Sequence, residues 1–425
     1  MPGSAKYPEM KDSRIPWIGS VPFSWSIVRA KSILKNVTEK GHPDAEVLSL
    51  YRDYGIVPKQ SRDDNHNVTS LDTSTYKYVE PGNLVLNKMK TWQGSLAVSE
   101  YAGIVSPAYY VCKFVNDSVN KCYIHYLLRT RQYAQEFERL STGMRIGQWD
   151  LGIDDFLSIP ILLPSLSEQQ AIAEYLDTEC HSIDMVIEEV KASIEEYKAW
   201  KASIIYEAVT KGLDPNAKMK ESEVQFIGLI PESWAVVKFK RIASVEPNLI
   251  SPEGYDSFKQ IAPDCIEKGS GRLVKERSVE EAGVVSWNQL FKKGQILYSK
   301  IRPVLNKVII APFDGLCSAD MYPISTRINT EFLLYSMLSQ SFVGQVDLIT
   351  RDRVKMPKIN QDELGSVMVA VPPTKEEQRQ IAEMICIKTA EIDAILREKE
   401  ALVSELERYK KSLIFEVVTG KRKVC

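Results

Sequence analysis

The feature that most constrains this chain is a phrase it uses twice. "SEQQAIAEYL" occupies residues 167–176 and "KEEQRQIAEM" residues 375–384, so that Glu-Gln-x-x-Ile-Ala-Glu recurs with Gln169 and Gln378 standing 209 residues apart. The same offset joins Ile183 to Ile392, Asp184 to Asp393 and Val209-Thr210 to Val418-Thr419. It also sets "WIGSVPFSW" (17–25) on "FIGLIPESW" (226–234), which aligns Gly19, Pro22 and Trp25 with Gly228, Pro231 and Trp234. Between these anchors the offset drifts: it is 212 where "PGNLVLNKMK" (81–90) meets "KGQILYSKIR" (293–302), and 208 where "GIDDFLSIPILLP" (152–164) meets "NQDELGSVMVAVP" (360–372). A repeat this long means two copies of one folding unit. A chain of 425 residues has room for two or three domains of ordinary size.

Each copy reads as a mixed segment followed by a helical one. The expected division is a globular domain over 1–163, a helical spacer over 164–212, a second globular domain over 213–371 and a C-terminal helical spacer over 372–425. Segments 15–163 and 224–371 alternate short β-like runs ("NLVLNKM", "NKVIIAPF") with Gly, Pro and Asn turn signals, and each carries one amphipathic helix, near 122–138 and 331–345. The fold class expected is α+β. Segments 167–211 and 376–420 contain no Pro and are rich in Ala, Glu, Lys and Ile, which favours long helices.

The apolar residues of those helices follow four-and-three spacing. The first seam runs Leu176, Cys180, Ile183, Ile187, Val190, Ile194, Tyr197 and Ile204, with Lys201 as a polar exception. The second runs Ile385, Ile392, Leu396, Val403, Leu406 and Leu413, interrupted by Thr389, Lys399 and Lys410. About 40 residues make a rod of roughly 60 Å, too long to bury its stripe in a small domain, so the two are expected to pair within the chain. If the halves are related by a pseudo-two-fold, the pairing is an antiparallel coiled coil. A coiled coil between chains is the alternative. Ser167 and Thr374 are the expected N-caps. Capping does not explain why Gln169 and Gln378 recur; a contact to the neighbouring globular domain or to a partner would.

Net charge is −2, so the chain as a whole carries no nucleic-acid footprint and any phosphate contact must be local. The candidates recur at matching points: Lys88, Lys90 and Trp92 in the first half, Lys300 and Arg302 in the second. Arg145 and Gln148 follow the first short helix, and Arg351, Arg353, Lys355 and Lys358 follow the second. Lys and Arg interleaved with Gln and Trp on loops meet phosphates and base edges together.

Signals for catalysis are missing. There is no GxxxxGK[ST] loop, no GxGxxG turn and no Asn/Asp-Pro-Pro-Tyr/Phe. "SPAYY" (106–110) comes nearest to the last and reads as a strand; Asp154, Asp155, Asp362 and Glu363 suit a turn or helix cap. Seven scattered cysteines and four histidines, none at ligand spacing, predict reduced thiols and no metal site. No apolar run approaches the roughly 20 residues of a membrane span and the first residues lack a signal-peptide core, so a cytoplasmic protein is expected.

The paired helix starts "LSEQQAIAEYLD" and "KEEQRQIAEMI", the helix ends "YEAVTKG" (206–212) and "FEVVTGK" (415–421), and the Gly-x-Val/Ile-Pro-x-x-Trp opening of each half together resemble the specificity subunit of type I restriction-modification systems. The resemblance runs from Ile15 to Lys421. It implies two target-recognition domains, each reading one half of a split double-stranded DNA sequence, with the helices setting the unread gap. The seam positions Ile183, Ile187, Val190, Ile194, Ile392, Leu396, Val403 and Leu406, with the recurrent Gln169 and Gln378, are the candidates for helix pairing or partner docking. The resemblance also implies that two modification subunits use S-adenosylmethionine to methylate adenine, that restriction subunits use ATP and Mg to translocate and cut, and that this chain, without a cofactor, is not an enzyme. The rival readings are a self-contained methyltransferase, a coiled-coil adaptor without sequence preference, and a specificity chain serving a different nuclease.

Overall fold

The two Pro-free stretches form helices of 46 residues, Leu166–Lys211, and 44 residues, Lys375–Val418, in a computed structural model that describes residues 6–52, 55–61, 72–143, 149–353 and 355–424. Their starts lie just after prolines, which disfavour helical backbone in the residue before them. Thr374 caps the second helix, its Oγ1 accepting from the Glu377 N–H at 3.2 Å. In the first, the cap is Ser165, whose Oγ accepts from the Glu168 N–H at 3.3 Å. Ser167, the expected cap, is already inside the first turn.

Two compact units divide the chain: residues 1–190 with 401–425, and residues 191–400. Each holds one globular region and one portion of each long helix. In the first unit the early turns of the 166–211 helix (Ile172, Leu176, Ile183, Ile187) share a core with the late turns of the 375–418 helix (Leu413, Val417, Val418) and with Trp25 and Tyr123. In the second, Ile205, Ala208 and Val209 share one with Ile381, Ala382, Ile385, Trp234 and Phe332. Within each unit, then, the end of one helix packs on the start of the other, as antiparallel pairing requires.

The globular regions repeat each other in their central sheets and flanking strand pairs. The first has a four-stranded antiparallel sheet ordered Leu34–Val37, Tyr109–Phe114, Leu84–Asn87, Leu96–Val98; the second has Ala243–Val245, Met321–Thr326, Ile296–Ser299, Val308–Ile310 in the same order. Ser26–Arg29 pairs with Pro160–Leu163 as Ala235–Lys238 pairs with Met368–Val371. Met10–Asp12 pairs with Ser20–Pro22 as Met219–Glu221 pairs with Leu229–Pro231. The outer sheets differ in extent. In the first unit Leu48–Tyr51 pairs with Gly55–Pro58 and Lys77–Val79 with Gly103–Val105, whereas in the second Leu249–Ile250, Asn288–Phe291, Gly315–Ser318 and Lys259–Ile261 form one sheet, its last pair parallel. Gly103 and Gly315 mark the same close approach: a Cβ at either would sit 2.4 Å from the Glu46 or Lys259 carbonyl oxygen.

Two expectations need correction. The helices near 122–138 and 331–345 are each broken in two, into Lys121–Leu128 and Arg131–Leu140, and Thr330–Leu338 and Gln340–Thr350. Thr130 and Ser339 stand at the breaks with extended backbone (ψ 152° and 151°), each restarting a helix as its N-cap. "SPAYY" is only partly a strand, because residues 106–108 turn and pairing begins at Tyr109. Asp154 and Asp155 lie in the first turn of Ile153–Ser158, and Asn360 with Glu363 forms a capping box on Gln361–Ser366, so these carboxylates serve helix starts.

Candidate nucleic-acid interface

The recurrent glutamine fastens helix to domain. Gln169 is 1 % exposed; its Oε1 accepts from the Asn120 N–H at 2.8 Å, and its Nε2 donates to the Pro164 carbonyl at 2.9 Å. Gln378, 3 % exposed, accepts from the Asn329 N–H at 2.9 Å and donates to the Pro372 carbonyl at 3.0 Å. Asn120 and Asn329 in turn cap the helices that follow them, through Tyr123 N–H and Phe332 N–H. One amide side chain thus satisfies at least two backbone groups that burial would otherwise leave unpaired, and Gln169 Nε2 also donates to the Ser118 carbonyl at 3.3 Å. The Glu before each Gln has a partner as well: Trp25 Nε1 donates to Glu168 at 3.0 Å, and Trp234 Nε1 to Glu377 at 2.9 Å. Both glutamines therefore sit at the joint between helix and domain, away from the helix-helix seam on which they were placed with the partner-docking residues.

The seam is apolar where it was expected to be at Ile183, Ile187, Ile194, Ile392 and Leu396, all buried. Val190, Val403 and Leu406 are half-buried. At the last turns of the first helix the buried position is Ile205, one residue past the expected Ile204, because a straight helix drifts against a strict seven-residue repeat. The polar exceptions are paired. Lys201 reaches Asp393 at 2.6 Å within the second unit, and Lys410 reaches Asp184 at 2.6 Å within the first. Lys201 corresponds to Lys410 and Asp184 to Asp393 in the repeat, so one ion pair is made twice with the helices exchanged.

The basic candidates fall on loops at matching corners of the two four-stranded sheets. Lys88 Nζ lies 4.7 Å from the centroid of the Tyr110 ring, and Lys300 Nζ 5.6 Å from that of Tyr322, the same Lys-Tyr pair in both units. Lys90 is exposed; Trp92 is half-buried, its ring 5.3 Å from that of Trp149 and its Nε1 bonded to the Met89 carbonyl. Arg145 and Gln148 lie outside the described residues. In the second unit Arg302, Arg351 and Lys355 are exposed, and Arg302 and Lys355 have positive φ (45° and 64°). Arg353 is engaged: it pairs with Glu363 at 2.5 Å and donates to the Lys358 carbonyl, and its guanidinium holds the Glu363 carboxyl below the usual range. That tie takes Arg353 out of the free cations. Lys358 and Lys300 share Asp320, at 3.2 and 3.9 Å.

Among the described residues no cluster of His, Cys, Asp and Glu is arranged to hold a metal ion, and no helix is long and apolar enough to cross a membrane. Buried Cys112 and Cys317 have thiols pushed up by burial, Cys112 to about 12, the reverse of what a nucleophile needs.

Comparison with known proteins agrees with this geometry. The family model described as "Type I restriction modification DNA specificity domain" matches residues 24–196. The chain is 28 % identical over 422 residues to the type I restriction enzyme EcoDI specificity subunit of Escherichia coli, covering 95 % of this chain and 89 % of that one. It is 26 % identical to the MjaVIII specificity subunit of Methanocaldococcus jannaschii, covering 95 % and 94 %. Among solved structures, a chain described under complex assembly and conformational transition of the type I R-M system superposes with a TM-score of 0.69 at 13 % identity, over 94 % of this chain and 99 % of that one. The HsdS subunit from Thermoanaerobacter tengcongensis gives 0.50 at 14 % identity, over 94 % and 98 %. Doubled domains, doubled fasteners and these likenesses converge: the chain is similar over nearly its whole length to type I restriction-modification specificity subunits, and its residues 24–196 match their DNA specificity domain.

Proposed function

We propose that each globular region reads one half of a bipartite duplex target, that the paired helices set the number of unread base pairs between the halves, and that methylation and cleavage reside on partner modification and restriction subunits. S-adenosylmethionine, ATP and Mg belong to those partners in this reading, and this chain is a non-catalytic scaffold. The observation that carries it is the repetition of one reading module on one pair of rods. The fasteners Gln169 and Gln378 are the same to within 0.1 Å in each hydrogen bond they share, while the loops at the sheet corners differ in charge and sequence. A fixed frame with variable loops is how a scaffold carries interchangeable specificity.

The test is a module exchange. Residues 15–163 are replaced by the corresponding segment of a relative, the chimera is assembled with its modification subunits, and methylated sites are mapped across a random duplex library. One half of the recognised sequence changes and the other half and the gap stay as they were. A change in both halves, or in neither, rejects the reading.

A further inference from the structure

The two reading modules carry different charge at the same corner. Where the second unit places Asp320, the first places Ala108: the Lys300 N–H donates to the Asp320 carbonyl at 2.9 Å as the Lys88 N–H donates to the Ala108 carbonyl at 3.0 Å. The carboxylate that Lys300 and Lys358 share in the second unit thus has only a methyl group as its counterpart in the first. The neighbouring strand shifts the charge in the same direction. Lys77 faces Val105 across its ladder as Gln289 faces Cys317, so the first unit gains a lysine at the place where the second has a neutral amide.

Lys77 is 8 % exposed, and its Nζ lies 5.4 Å from the centroid of the same Tyr110 ring that Lys88 approaches at 4.7 Å. It donates to the Tyr109 carbonyl at 2.6 Å. An ammonium has three donors, and no other acceptor meets it among the described residues. Among the described residues neither Lys77 nor Lys88 forms an ion pair, although burial first, and then the nearby Asp150 and Asp154, push the Tyr110 phenol above its ordinary pKa. Exposed Lys40 adds a third positive charge, because the Tyr78 N–H bonds to the Glu39 carbonyl and draws that loop against the strand. Burial first, then Lys88 and Lys40, holds the Lys77 ammonium below its ordinary pKa. A largely enclosed cation among like charges, with donors to spare, is best completed by an anion.

We propose that Lys77, Lys88 and Lys40 form a seat for one backbone phosphate of the DNA, present in the first reading module and absent from the second. The proposal rests on the DNA-reading function given above. The first module then anchors the duplex electrostatically, and the second, with its acidic partner in place, contributes less to salt dependence.

The experiment measures duplex affinity against salt for the complex with modification subunits, using wild type, K77M, K88A and A108D. Each variant is expected to reduce the magnitude of the slope of log K against log salt by about 1 and to weaken target and non-target duplexes by the same factor. K77M, relieved of a buried charge, is expected to unfold at a temperature no lower than wild type. An unchanged slope in the variants, with target preference intact, overturns the phosphate seat and leaves the DNA-reading function standing. That holds even where inorganic phosphate raises the wild-type Tm, since the seat would then serve a free anion. If K77M does not fold, K88A and A108D decide. A wild-type complex with no preference among duplexes rejects the function itself.

Discussion

At the scale of single residues, the side chain that does most for the architecture is an amide. Gln169 and Gln378 each tie a backbone N–H 49 residues away to a proline carbonyl at the helix start. Replacing either with Leu keeps the volume and leaves a buried donor and a buried acceptor unpaired, at about 1–3 kcal/mol for each group. The expected outcome for Q169L or Q378L is a loss of about 3 kcal/mol in urea unfolding, against a change within about 0.5 kcal/mol for exposed Gln170→Leu. The repeat flagged both glutamines and capping failed to account for them, but their partners could not be read from sequence, because Asn120 and Asn329 meet them only once the domain has folded. Trp92 shows the opposite limit. Its place among basic loop residues made it a candidate DNA contact, and the fold adds what the sequence could not give: its indole N–H is bonded to the Met89 carbonyl and its ring lies against Trp149.

Among the elements, the long helices were readable because composition and four-and-three spacing are local properties. Their register was not, since it depends on which charges meet across the seam. Lys201 and Asp393 are 17 % and 16 % exposed, while Lys410 and Asp184 are 27 % and 53 % exposed. Asp393→Ala strands the more enclosed lysine and also removes the 3.6 Å contact with Arg272, so it is expected to cost about 1–3 kcal/mol, the scale for leaving an enclosed partner unsatisfied. Asp184→Ala falls in the range of exposed pairs, about 0.2–1 kcal/mol. Urea unfolding of the two variants checks the ranking, and equal losses would contradict it. The broken short helices were missed for a related reason: Thr130 and Ser339 are unremarkable inside an amphipathic pattern, and the tertiary packing of Tyr133 and Phe342 decides that the chain restarts there.

For the molecule as a whole, the duplication was fully visible in the sequence, down to offsets of 208, 209 and 212 that later matched strand to strand. The two ion pairs bracket the helix middles, at 184 and 201 on one rod and at 393 and 410 on the other. Seven residues inserted after Ile194 and after Val403 therefore leave both pairs and both reading modules intact while lengthening each helix by about 10 Å. The expected outcome, read by methylation mapping, is a gap wider by about three base pairs with both half-sites unchanged. Altered half-sites would show that the helices do more than set spacing.

One further consequence follows from the way the first unit is closed. Gly420 lies so near Pro22 that a Cβ there would come within 2.2 Å of its ring, and Lys421 reaches back to the carbonyls of Ile18 and Ser20 at 2.9 and 2.6 Å. The unit that begins the chain thus needs residues 401–425 to complete it, whereas residues 191–400 form the other unit without interruption. During vectorial synthesis on the ribosome, the module translated first is the one finished last, and it must wait, part-built, while its later twin folds.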